Sequence, residues 1–347
     1  MVDNRSARIL SALVVCFTLG LIGVAEHHQA NLYRGQDLHF LGDLTKFAWL
    51  GHALLLFGTG VWFGQWRARE GRLWPILCIL FAMNLLVSVL AIVVYRPPSI
   101  PADTALIPLG LATWLYGFDR GVLVSFQFNH GWLPSCVLQC GLILFAIERP
   151  LRHGNPWKWF LGIWVASLIA RYAFFTVSAS GSLAAYSSPF GRFDIFCLGY
   201  LLGQNRLPLS RGQARFLYLS SAIAVVGGQG WLQETSLNNP ITGILGLGLL
   251  EFPVAAFYLF LLHTVSIQLN WSRLRETWVL FLPFLIYLIH FPMRIWSDSV
   301  TTGAVGSDPV IHLLVSLGIN LLLATATATL LLFASAGSFS TPASPVD

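Results

Sequence analysis

Long apolar stretches recur along almost the whole chain and constrain its fold more than any other feature. Many of them approach 20 residues, the length of helix that crosses the hydrocarbon core of a bilayer. Only 10% of the residues are charged, whereas about a quarter are charged in typical soluble domains. A soluble fold of 347 residues would have too few polar side chains to cover its surface. The sequence therefore predicts an all-α integral membrane protein.

We predict about ten transmembrane helices in one domain over residues 1–333, followed by a disordered cytoplasmic tail over 334–347. The predicted spans are 9–25, 47–65, 74–95, 130–147, 158–177, 192–203, 216–231, 241–264, 278–293 and 310–333. The stretch 104–126 is also apolar, but counting it as a span would invert the orientation of every later connection. We therefore predict an external or re-entrant segment there, with a half-helix after Pro108 as one possible form.

Basic residues are concentrated in alternate connections between the predicted spans. These connections hold 13 of the 20 basic residues: Arg5, Arg8, Arg67, Arg69, Arg72, Arg149, Arg152, Lys158, Arg206, Arg211, Arg215, Arg273 and Arg275. The positive-inside rule places these connections and both termini in the cytoplasm, which predicts a multi-pass protein of the cell inner membrane. Because the basic residues form no single patch, the net charge of +5 does not indicate a nucleic-acid partner.

Ionisable residues inside the predicted spans are few, and each is a functional candidate because a charge in hydrocarbon is costly. Arg171 lies in the fifth span, with Glu251 of the eighth span as its expected partner. The two would form either a structural pair or the lining of a cavity. Arg192 and Asp194 begin the sixth span, where they form either a structural pair at the helix start or part of a proton-transfer site.

Two histidines lie near the predicted extracytoplasmic ends of spans. His130 begins the fourth span and His290 lies near the end of the ninth. Such residues either transfer protons or occupy the headgroup layer because water is present there. The five cysteines lie in apolar segments without neighbouring histidine or acidic ligands, so we predict no metal site.

The connection between the second and third spans contains Arg67, Arg69 and Arg72 within six residues. Guanidinium groups match the geometry of phosphate oxygens. This turn is therefore either an orientation signal that anchors lipid phosphates or a site for a phosphorylated donor such as a coenzyme A.

Four motifs follow one another along nearly the whole chain. They are the run 51–60 with Arg69-x-x-Arg72-x-x-Pro75 after it, His130-Gly131-Trp132-Leu133 with Gln139, Arg192-Phe193-Asp194 within 189–199, and Tyr287-Leu288-Ile289-His290-Phe291-Pro292. Their order and spacing, with the ten spans, resemble the integral-membrane acyltransferase 3 family. That family acylates sugars of bacterial surface polysaccharides and related acceptors.

The resemblance implies a membrane-bound O-acyltransferase of the bacterial cell envelope. Its donor substrate would be acyl-CoA, with Arg69 and Arg72 near the phosphates and no tightly bound cofactor. The acyl group, acetyl above all, would pass to a hydroxyl of a cell-surface glycan or a lipid-linked sugar.

The chain departs from the family in its first helix, where the family has a histidine about eleven residues after an arginine. Residues 16–19 of this chain stand at that place and contain no histidine. We therefore predict His130 or His290 as the general base, with Arg192 and Asp194 orienting the reacting groups.

Two other functions remain open from the sequence. The absence of the first-helix histidine would also fit a catalytically degenerate member of the family. Such a protein would act as a glycan-handling membrane scaffold. A transporter is the third candidate, in which Arg171 and Glu251 would line a path that reaches both faces of the membrane. No inverted repeat or pair of interrupted helices supports transport.

Overall fold

The computed structural model describes residues 48–95, 109–111, 113–114, 132–177, 184–185, 187–204 and 206–207, with scattered helical residues at 216, 219 and between 311 and 330. Its helices are α1 (Ala48–Glu70), α2 (Trp74–Tyr95), α3 (Trp132–His153), α4 (Pro156–Val177) and α5 (Pro189–Gly203). No strand occurs within these ranges. The described part of the chain is therefore all-α, as the sequence predicted.

The helices α1 to α5 coincide with the second to sixth predicted spans. Two of them extend well past their predicted carboxyl ends, because α1 continues to Glu70 and α3 to His153. A charged residue marks where a helix leaves the hydrocarbon, but the backbone hydrogen bonds continue into the headgroup layer. The remaining predicted spans lie outside the described residues, apart from scattered positions in the seventh and tenth.

By length and hydropathy, α3 and α4 are each able to cross a membrane. Each has 22 residues and is therefore about 33 Å long. The Asn155 side chain in the short turn between them accepts hydrogen bonds from the amides of Trp157 and Lys158, at 2.9 and 3.3 Å, and so caps α4. The outward face of α4 exposes large apolar side chains, among them Leu161 and Ile169, as expected of a helix that faces lipid.

The helices α1 and α5 run parallel and make direct backbone contact. Their contact surface consists of Gly60 and Gly64 on α1 and Gly199 and Gly203 on α5. A Cβ atom on any of these four residues would collide with a backbone carbonyl oxygen of the other helix. Small residues four apart allow membrane helices to approach closely. The two helices therefore form one tightly packed unit.

The carboxyl ends of α1, α3 and α5 meet at one end of the bundle, which we call the basic end. Arg67 near the end of α1 pairs with Glu148 of α3. Arg206, which follows α5, donates to the carbonyl oxygens of Leu151 and Gly154 at 2.5 and 3.2 Å. The basic residues at this end are Arg67, Arg69, Arg72, Arg149, Arg152, Lys158 and Arg206. Three of the basic connections that were predicted to be cytoplasmic therefore lie at the same end of the bundle.

The segment predicted to be external or re-entrant lies against α3. The Gln139 amide donates to the carbonyl oxygen of Gly110 at 2.5 Å, and the Trp114 indole donates to the Gln139 side-chain oxygen at 2.9 Å. Gln139 is seven residues into α3, or about 10 Å from its start. The described residues of this segment thus lie beside the helix. In the described structure, α2 ends and α3 begins at the same end of the bundle.

Gly199→Ala should lower the free energy of unfolding by about 1–3 kcal/mol, because the new methyl group must push α1 and α5 apart. The matched control is Gly58→Ala on α1, where an added Cβ meets nothing within 4 Å. Thermal unfolding of both variants in detergent measures the difference. Equal stability of the two variants would contradict the glycine contact.

Candidate functional site

A buried ion pair joins α4 to α5. The Nη2 atom of Arg171 donates to both carboxylate oxygens of Asp194, at 3.0 and 2.9 Å. Its Nε atom donates to the carbonyl oxygen of Gly191 at 2.6 Å, and the Ile195 amide donates to Asp194 Oδ1 at 2.8 Å. The two side chains are 1% and 0% exposed. The positive charge of Arg171 is therefore compensated inside the protein.

The local sequence makes room for this pair. α4 and α5 run antiparallel, so Arg171 near the end of α4 lies beside the first turns of α5. A Cβ atom on Gly191 would lie 3.0 Å from Arg171 Cγ and 2.8 Å from the carbonyl oxygen of Ala185. Glycine at position 191 thus lets the arginine side chain pass close to the backbone and reach Asp194.

The structure gives Arg171 a partner that the sequence did not indicate. Asp194 contacts Arg171, whereas Glu251 lies outside the described residues. Arg192 is completely buried as well. Residues two apart on a helix point about 200° away from each other, so Arg192 and Asp194 leave α5 in different directions. Asp194 links α5 to α4, a contact that no regular spacing in the sequence indicates.

The other predicted site residues are distributed as follows. His130 and His290 lie outside the described residues. Arg69 is in the last turn of α1, and its side chain is not among those described. Gly71 ends α1 with a φ of 70°, and its amide donates to the carbonyl oxygen of Arg67 at 3.0 Å. The chain turns there and leaves Arg72 exposed at the basic end.

A second polar network lies at the basic end and was not predicted. Glu148 of α3 pairs with Arg67, and the Tyr200 hydroxyl of α5 lies 3.5 Å from the same carboxylate. The Gln204 amide donates to the Tyr200 hydroxyl oxygen at 2.9 Å. In the sequence Arg67 lies in one basic connection with Arg69 and Arg72, but the structure joins Arg67 to a carboxylate. The sequence feature that could have indicated this pair is Glu148 itself, an acidic residue beside the basic residues of its connection.

An open apolar groove of about 430 Å³ lies between α3, α4 and α5. It is lined by Ile143, Ile147, Ile163, Ala166, Ser167, Ala170, Phe174, Phe190 and Phe193. The Trp114 ring lies 5.8 and 6.2 Å from the rings of Phe174 and Phe190. The groove is suited to apolar groups. Across the described ranges, no cluster of three or more histidine, cysteine or acidic side chains is placed to hold a metal ion.

Comparison of the chain with models of protein families, with curated proteins and with solved structures gives no match. The resemblance to the acyltransferase 3 family therefore stays a prediction from the four motifs. The site must be interpreted from its own contacts.

Asp194→Asn should lower the free energy of unfolding by about 3–5 kcal/mol, because it leaves the Arg171 charge uncompensated inside the bundle. The double variant Arg171→Met with Asp194→Leu removes both charges and should recover most of that loss. Unfolding in detergent by a denaturant titration measures both. If the double variant is as unstable as Asp194→Asn, the pair does not act as a compensated unit.

Proposed function

We propose that the protein is a multi-pass O-acyltransferase of the cell inner membrane. It takes an acyl group, acetyl above all, from acyl-CoA at the basic end and transfers it to a hydroxyl of a cell-surface glycan or lipid-linked sugar. The four sequence motifs suggest this chemistry. The structural observation that favours it is the gathering of three basic connections at one end of the bundle, with Arg72 exposed there.

A polyanionic donor is well matched to this end of the molecule. The exposed cations there are Arg72, Arg149, Arg152 and Lys158. Their combined field attracts a ligand that carries several phosphates, and each guanidinium group can bind phosphate oxygens with two hydrogen bonds. Coenzyme A has the required charge, and the positive-inside rule places this end in the cytoplasm, where the donor is present.

Membrane embedding is supported by the surfaces of the described helices. Two of them meet the length and hydropathy expected of a span. α2 has the same length of 22 residues, contains no charged residue, and exposes Phe81, Leu85 and Val89. Exposed apolar side chains on several helices are costly in water and favourable in lipid. We therefore place the whole bundle in the bilayer.

The proposed mechanism assigns different roles to the acidic and basic groups. Both oxygens of Asp194 accept hydrogen bonds from Arg171, so Asp194 holds α4 and α5 together and orients the adjoining groups. The general base that takes the acceptor hydroxyl proton is His130 or His290. The attacking oxygen then forms an ester with the acyl carbon, and coenzyme A leaves as its thiol.

A catalytically degenerate, glycan-handling scaffold is the second candidate. It is favoured by the burial of Arg171, Arg192 and Asp194, three charged residues at membrane depth in the described helices. Groups so enclosed suit a structural role. The same burial disfavours transport, which requires Arg171 to line an open path, whereas only 1% of its side chain is exposed.

The purified protein should bind coenzyme A saturably in detergent, and Arg72→Ala should weaken that binding about tenfold or more, because a charge-assisted hydrogen bond is lost. Lys158→Ala is the matched control, since it removes an exposed cation from the same end without touching the motif. Isothermal titration calorimetry measures both. Absence of binding to the wild-type protein would refute the enzyme and favour the scaffold.

A further inference from the structure

The carboxylate of Glu148 occupies a position that a phosphate group could take. It accepts a hydrogen bond from the Nε atom of Arg67. On its other side, the Nη1 atom of the same guanidinium lies 3.7 Å from where a Cβ of Gly71 would stand. Arg67 therefore lies between Glu148 and the turn that carries Arg72. A phosphate bound at that turn would approach the same guanidinium group.

The Arg67–Glu148 pair is mostly buried, but 14% and 15% of the two side chains are exposed, so solvent reaches it. A phosphate ligand can approach Arg67 by the same route, and the exchange would replace one charge-assisted hydrogen bond with another. The carboxylate itself is held in place. The Tyr200 hydroxyl lies 3.5 Å away and is in turn bound by Gln204. Arg67 can thus change its partner while Glu148 keeps its place between α3 and α5.

We propose that Glu148 is a positioning residue for the donor, acting as an internal counter-ion that a donor phosphate displaces from Arg67. This inference rests on the proposed function. Carboxylate and phosphate oxygens offer a guanidinium group the same kind of acceptor, so the exchange replaces one charge-assisted hydrogen bond with another. No covalent bond changes.

The exchange makes the site selective for ligands with several phosphates. A ligand with one phosphate binds at Arg72 and leaves the Arg67–Glu148 pair intact. A ligand with a second phosphate also contacts Arg67, and this contact compensates for the loss of the Arg67–Glu148 pair. Coenzyme A belongs to the second class, and phosphopantetheine belongs to the first.

Glu148→Gln should tighten coenzyme A binding about two- to fivefold, because the carboxylate that competes with the donor phosphate for Arg67 is removed. Phosphopantetheine binding should change little. Arg67→Gln and the double variant Arg67→Gln with Glu148→Gln complete a double-mutant cycle. In the Arg67→Gln background, Glu148→Gln should no longer increase the affinity for coenzyme A. Calorimetry on the full chain in detergent provides the four affinities. Should Glu148→Gln fail to fold, Glu148→Asp keeps the negative charge but moves the carboxylate away from Arg67, because the side chain is one methylene shorter. This variant should show a smaller increase in coenzyme A affinity.

The outcomes separate this inference from the proposed function. If the wild-type protein binds coenzyme A and Glu148→Gln binds it equally or more weakly, Glu148 is not a counter-ion for the donor, and the proposed function stands. If the gain persists in the Arg67→Gln background, it arises from the overall field and the inference is wrong. If no variant binds coenzyme A, both the inference and the proposed function fail.

Discussion

The direct contact between the backbones of α1 and α5 determines how the rest of the described structure is arranged. Gly60 and Gly64 face Gly199 and Gly203, and no side chain separates the two helices at these positions. Van der Waals packing of this kind is a main source of helix association in membranes, where the hydrophobic effect between helices is absent. α1 ends in the basic turn, and α5 carries Arg192 and Asp194 in its first turns. The glycine contact therefore sets the separation between the two candidate sites.

The buried Arg171–Asp194 pair sets the position of α4 on this unit. A charge facing hydrocarbon is costly, so sliding α4 along α5 by one turn would leave both groups without compensation. Pairs of this type often add little net stability, because desolvation offsets the attraction between the charges. We infer that this pair acts mainly by selecting one register of the two helices, which Gly191 makes sterically possible.

The sequence predicted the five described helices well and their contacts poorly, for physical reasons. Helix length and alternation of charge reflect the thickness of the bilayer and the membrane potential, which act on each segment separately. The contact between α1 and α5 was partly visible as two pairs of glycines four residues apart, but nothing in either pair identifies the other helix. The partner of Arg171 depends on how α4 and α5 meet. The role of Glu148 was not predicted, because the basic residues around it were enough to assign the connection to the cytoplasmic side.

The proposed function requires that the bundle spans a membrane with its basic end in the cytoplasm. Single cysteines at Arg72 and Val177, at opposite ends of the bundle, test it with a membrane-impermeant thiol reagent in a chain whose five native cysteines are replaced by alanine. We expect Val177→Cys to be labelled in intact cells and Arg72→Cys to be labelled only after permeabilisation. Labelling of Arg72→Cys in intact cells, or recovery of the protein in the soluble fraction, would contradict it.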